Sequence, residues 1–163
     1  MSRTCIRPAV PADAGTIVRL VRQLALFEKE PVETVRLTES DIVRDGFGDH
    51  PRFEALIAEL DGEPAGFAVF FHNYSTWEGQ AGLWVEDIFV EERARDRGLG
   101  RQLMVEIARV ARARGCPRVE LSVLAWNPAR EFYARIGFDH MEEWLPYRIT
   151  EPALGALAMG LDG

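Results

Sequence analysis

Apolar positions along this chain change their period several times, and the changes mark its elements. Thr4 to Pro8 reads as a short first strand. From about Pro11, Ile17, Leu20, Val21, Leu24 and Phe27 recur at helical spacing. Asp13 stands in the first turn of that helix, where an acid suits the dipole, and Glu28-Lys29-Glu30-Pro31 ends it. Thr38 and Asp41, in T-E-S-D, form a capping-box pattern with Asp in place of Glu, and the short second helix they open runs to Gly46. Asp45 to Pro51, D-G-F-G-D-H-P, is a turn-rich connector.

Strands follow. Phe53 to Leu60 is one, Asp61-Gly62 is a hairpin signal, Ala65 to Tyr74 is the return strand, and Gln80 to Val90 is a third. After a glycine turn, Leu99, Leu103, Met104, Ile107, Val110 and Ala111 line one helical face, stopped by Gly115 and Pro117. Val119 to Leu124 is a further strand. Asn127-Pro128 reads as an N-cap with Pro at the first helical position, for a helix through Ile136 stopped by Gly137. Tyr147 to Ile149 is expected as a last strand, and E-P-A-L-G-A-L-A as a terminal helix. The order βααβββαβαβ, with hairpins early and crossovers late, predicts an α+β fold on a mixed, mostly antiparallel sheet. It predicts a single domain over residues 1–163.

Composition narrows the function classes. The 163 residues leave room for a substantial core, and 47% apolar with 28% charged residues is ordinary for a globular protein. No apolar run approaches the ~18 residues of a membrane span, and M-S-R-T-C-I-R-P lacks a secretory core, so the expectation is a cytoplasmic protein with no membrane partner. Cys5 and Cys116 belong to no C-x-x-C pair and read as reduced thiols. A net charge of −7 argues against nucleic acid and is compatible with a small cationic substrate. Lys29 is the only lysine, against eighteen arginines. His50, His72 and His140 have neither metal-ligand spacing nor a nucleophile partner, and no metal is expected.

The most constrained stretch is Val85 to Arg101, V-E-D-I-F-V-E-E-R-A-R-D-R-G-L-G-R. An apolar strand carrying Glu86-Asp87 ends in a charged turn that opens through Gly98 and Gly100 into an amphipathic helix. Helix N-termini bind phosphate because their first N–H groups lack intrahelical partners and carry partial positive charge. The Walker pattern is excluded, since no Gly-Lys-Ser/Thr occurs. The dinucleotide pattern fails because Gln102 and Leu103 follow Gly100. What remains, Arg95-x-x-Gly98-x-Gly100, resembles the R/Q-x-x-G-x-G/A turn of the GCN5-related N-acetyltransferases, whose element order this chain also follows. L-T-E-S-D-I-V-R-D-G-F-G-D-H-P, Y-S-T-W, V-E-D-I-F-V and V-L-A-W-N are similar to segments of the diamine (spermidine/spermine) and thialysine acetyltransferases within that family. Asp96 departs from the subgroup, which usually has Gly there.

The resemblance implies acetyl-CoA as co-substrate, a small primary amine as acceptor, and a homodimer. It implies cofactor contacts from Ile88, Phe89, Val90, Arg95, Asp96, Arg97, Gly98, Leu99, Gly100, Arg101, Asn127 and Tyr133. Glu86 would be the general base, directly or through water, and Tyr133 would protonate the departing sulfur. Trp77, Trp126, Asp87 and Glu86, with Glu28 and Glu142, would hold the acceptor. A strictly regular strand points Asp87 away from Glu86, and the local bulge the family has on that strand would bring both carboxylates to the cleft. Acetylation of protein N-termini or of an aminoglycoside, and a catalytically inactive acetyl-CoA-binding module, are the competing readings.

Overall fold

The computed structural model describes residues 2–160, and the chain divides into two compact units, Met1–Asn127 and Pro128–Gly163. The first unit holds β1 (Thr4–Pro8), α1 (Ala14–Phe27), α2 (Glu39–Phe47), β2 (Glu54–Leu60), β3 (Glu63–Ser75), β4 (Gln80–Val90), α3 (Leu99–Ala113) and β5 (Val119–Leu121). The five strands form one sheet in the order β1-β2-β3-β4-β5. The first four are antiparallel to their neighbours, and β5 is parallel to β4.

Local chemistry fixes the ends of these elements. The Asp41 N–H donates to Thr38 Oγ1 at 3.2 Å and the Thr38 N–H to Asp41 Oδ2 at 3.0 Å, a reciprocal capping box that starts α2. Asp61 and Gly62 both take positive φ, +55° and +86°, as a two-residue turn matched to strand twist requires. β2 and the Ala65–Phe70 half of β3 are buried nearly without interruption because helices cover both faces of the sheet there. On one face Ile17, Leu20 and Ile42 of α1 and α2 pack with Ile57, Phe67, Val69 and Phe89. α3 lies against β1 to β4, with Leu99, Leu103 and Ile107 fully buried.

β5 ends at Leu121, three residues before the predicted limit. Leu121 pairs with Val85, and the pairing stops where the bulge in β4 begins. The second unit contains α4 (Ala129–Arg135) and α5 (Ala153–Ala158). Pro128, at φ −63° and ψ −16°, has helical dihedrals at the start of α4. The strand expected at Tyr147–Ile149 is absent among the described residues. Among the described residues that unit holds no other strand to pair with it, and Tyr147 is 92% exposed.

Candidate active site

The site is built around an irregularity in β4. Phe70 pairs with Val85 and Val69 pairs with Asp87, so Glu86 is an extra residue with no partner on β3. Such a bulge bends the strand and re-aims the side chains beside it. Residues directly opposite share a face, so Asp87 goes with Val69 onto the face covered by α1, where Phe67 and Phe89 also lie. Val85 instead shares its face with Phe70. Without the extra residue Asp87 would follow Val85 to that side.

Glu86 is exposed and accepts a hydrogen bond from Trp84 Nε1 at 3.0 Å, which steadies its carboxylate. Trp84 escaped the sequence reading, although its i, i+2 spacing to Glu86 is a same-face signal on a strand. Asp87 is pushed up to about 6, first by burial and then by the neighbouring charges of Glu86 and Glu28. Glu28, at the end of α1, is also raised, by burial and then by Glu30. Three carboxylates therefore share one region, and their mutual repulsion is what a cationic acceptor would relieve.

The raised Asp87 carries a stability consequence. Between its ordinary value of 3.8 and about 6 the folded state holds a proton the unfolded chain has lost, so stability falls as pH rises through that window. Asp87→Asn should therefore stabilise the protein by ~2 kcal/mol at neutral pH and not at all below pH ~4. Urea titrations at the two pH values check this, and an equal effect at both would contradict it.

Past Val85 the edge of β4 that faces β5 is unpaired, which leaves the backbone of Glu86 to Val90 open along that side. Ile88 and Val90 are half-buried and Phe89 is buried on the α1 face. Glu91 then anchors the chain end. It is 8% exposed, donates its N–H to the Ala65 carbonyl at 2.8 Å, and its carboxylate pairs with Arg19 and with Arg93, the latter at 2.6 Å.

Arg95, Asp96, Arg97 and Gly98 are exposed, while Leu99 beyond them is buried and seats α3. Gly98 caps α3 at φ +77°, and the first helical bond runs from the Gln102 N–H to the Gly98 carbonyl at 3.0 Å. The N–H groups of Leu99, Gly100 and Arg101 thus precede the helical ladder, and no side chain caps them. This arrangement fits a diphosphate.

Asp96 takes φ +61°, a conformation that glycine adopts without strain. Asp tolerates the left-handed region better than most residues and still incurs strain there. Asp96→Gly should raise stability by about 1 kcal/mol and tighten acetyl-CoA binding by removing a negative charge beside the turn. Calorimetric titration combined with urea melts would show it, and weaker binding would contradict the charge argument.

Arg95 folds back in this structure. Its Nε donates to the Val90 carbonyl at 3.2 Å, and its guanidinium lies 4.7 Å from the Phe27 ring centre. Phe27 and Phe89, 6.3 Å apart, share one wall of an open cleft of about 540 Å³ with Arg95, and Trp126 stacks on Phe27 at 6.4 Å. Lys29 Nζ sits 4.2 Å above the Trp126 ring. Neither Phe27 nor Lys29 was a sequence candidate, since both read as the plain end of an amphipathic helix.

The other candidates are more scattered. Trp77 is at the β3–β4 hairpin tip, 93% exposed, and the six residues from Gln80 to Glu86 place it about 20 Å along the strand from that carboxylate. Asn127 is buried at the end of the first unit. In the second unit Tyr133 is buried, between the rings of Phe132 at 5.3 Å and Phe138 at 5.7 Å. Glu142 is exposed, 3.8 Å from His140. Among the described residues no cluster of His, Cys, Asp or Glu has the make-up of a metal site, and no helix is long and apolar enough to cross a membrane.

The first unit thus holds a strand-end carboxylate pair, an open strand edge and a helix start that no side chain caps. Residues 19–138 match the acetyltransferase (GNAT) family, and the chain belongs to that family of acetyl-CoA-using N-acetyltransferases. It is 35% identical over 170 residues to the thialysine N-ε-acetyltransferase of Bos taurus, covering 97% of this chain and 99% of that protein. It is 33% identical to the human spermidine/spermine N(1)-acetyltransferase-like protein 1, over 91% of this chain and 23% of that one. An aminoglycoside N-acetyltransferase solved in complex with CoA has the same fold, with a TM-score of 0.73 and 22% identity over 91% of this chain and 96% of that one.

Proposed function

We propose that this enzyme acetylates the primary amine of a small acceptor, a diamine or polyamine or a lysine-like amino acid such as thialysine, by direct attack in a ternary complex. The observation that carries this is the bulge that turns Glu86 and Asp87 out beside the open half of β4, next to the phosphate-competent turn. An alkylammonium with a pKa near ~10.4 is nucleophilic in about one molecule per thousand at pH 7.4, a handicap of ~4 kcal/mol. Glu86, exposed and steadied by Trp84, takes that proton directly or through a water. Asp87 and Glu28 attract the acceptor cation.

The backbone of Ile88 to Val90 aligns the pantetheine arm, and the Ile88 N–H faces the thioester oxygen as charge develops there. Amides at Leu99 to Arg101 take the diphosphate, with Arg95, Arg97 and Arg101 offsetting Asp96. Asn127 meets the same cofactor arm. Tyr133 returns a proton to the departing sulfur, and Trp77, Trp126 and Glu142 belong to the acceptor side. The family match runs from the first compact unit into the second, which supports one catalytic domain over residues 1–163. A homodimer in the cytoplasm completes the reading, and a second copy would cover the exposed Trp77.

Thiol release from acetyl-CoA, measured against spermidine, putrescine, thialysine and lysine, tests the proposal. Turnover with at least one of them is expected. Acetyl-CoA binding without turnover on any amine would favour a regulatory module instead.

A further inference from the structure

Lys29 has an unusual backbone. It follows the cap of α1 at φ +66°, in a turn closed by the Lys29 N–H to the Leu26 carbonyl at 3.1 Å and the Glu30 N–H to the Ala25 carbonyl at 2.9 Å. Glycine is favoured at that position because any Cβ is strained there. Residues kept in such conformations point to a function carried by the side chain. This one is the chain's only lysine, and its ammonium rests on the face of Trp126 with no ion-pair partner among the described residues.

The face of Trp126 is therefore already taken by a cation. A second ammonium brought to it would meet repulsion, whereas a carboxylate would meet a pre-positioned positive charge. The same aromatic group reaches Phe89, two residues past Asp87, and Asp87 feels the charges of Glu86 and of Glu28, the residue before Lys29. The region is bipolar, negative for the reacting amine and positive for the acceptor's far end.

Building on the acetyl-transfer reading above, we propose that Lys29, held over Trp126, recognises a carboxylate on the acceptor and so selects ω-amino acids over diamines and polyamines. The ω-amine goes to Glu86 and Asp87, the carboxylate goes to Lys29 Nζ, and Glu28 faces the α-ammonium. A diamine of the same length keeps that distal ammonium but has no carboxylate to answer Lys29, so the like charges near it go uncompensated.

The test uses the full chain and two acceptors differing only in that group, thialysine and 2,2′-thiobis(ethylamine), with thiol release as the readout. The wild type should favour thialysine by at least about tenfold in kcat/KM, mostly through KM. Lys29→Gly and Lys29→Met should bring the ratio close to one, by lowering the value for thialysine and raising that for the diamine. Lys29→Arg should keep the preference. Lys29→Gly should also melt no lower than the wild type, because glycine relieves the strained turn. A wild-type preference for the diamine, or an unchanged ratio in both the Gly and Met variants, overturns the assignment while leaving acetyl transfer intact. No turnover of any amine by the wild type would instead overturn acetyl transfer itself, and this inference with it.

Discussion

Tyr133→Phe is expected to lower kcat about a hundredfold while leaving acetyl-CoA affinity nearly unchanged. The substitution removes one oxygen and keeps the ring, so the contacts with Phe132 and Phe138 and the burial of the site persist. What is lost is a hydroxyl with a pKa near ~10 that can protonate a thiolate of pKa ~8.5 as it leaves. Because the defect belongs to the chemical step, single-turnover rates should fall as steeply as steady-state rates. A thermal midpoint close to that of the wild type would separate this loss from a folding defect. An unchanged kcat would remove Tyr133 from the mechanism and return it to the core of its own unit.

The elements legible in the sequence are those with local causes. T-E-S-D became a reciprocal capping box, Asp61-Gly62 a tight turn, and Gly98 the left-handed start of α3. The glycine turn could be read because a helix start at a left-handed residue depends only on its own backbone. The features that escaped depend on a neighbouring strand or on side chains distant in sequence. W-V-E-D-I-F-V by itself reads as a plain apolar strand; the family resemblance implied a local bulge there, and the register against β3 puts the extra residue at Glu86. β5 ends where that bulge begins. Tyr147-Arg148-Ile149 has strand-forming residues, but pairing needs an edge and none is offered among the described residues of its unit. Lys29 was overlooked for a different reason: its φ is set by the closure of α1, and its partner Trp126 is almost a hundred residues away.

The second large effect falls on the bulged residue itself. Glu86→Gln should reduce kcat/KM by about 10²- to 10³-fold, since an amide cannot accept the proton of the attacking ammonium. The side chain is near-isosteric and its oxygen can still accept the bond from Trp84 Nε1, so the strand geometry should survive. The pH profile distinguishes this from a lost charge interaction. Glu86 is one of the groups that raise Asp87, so neutralising it should lower the Asp87 pKa below about 6 and move the acidic limb of the residual activity to lower pH. A base that acts only by attracting the acceptor would show mainly a higher KM with kcat nearly intact. Should kcat/KM fall less than twofold, proton removal belongs to another group. Asp87, already poised near neutrality on the face where the bulge placed it, would then be the candidate to test.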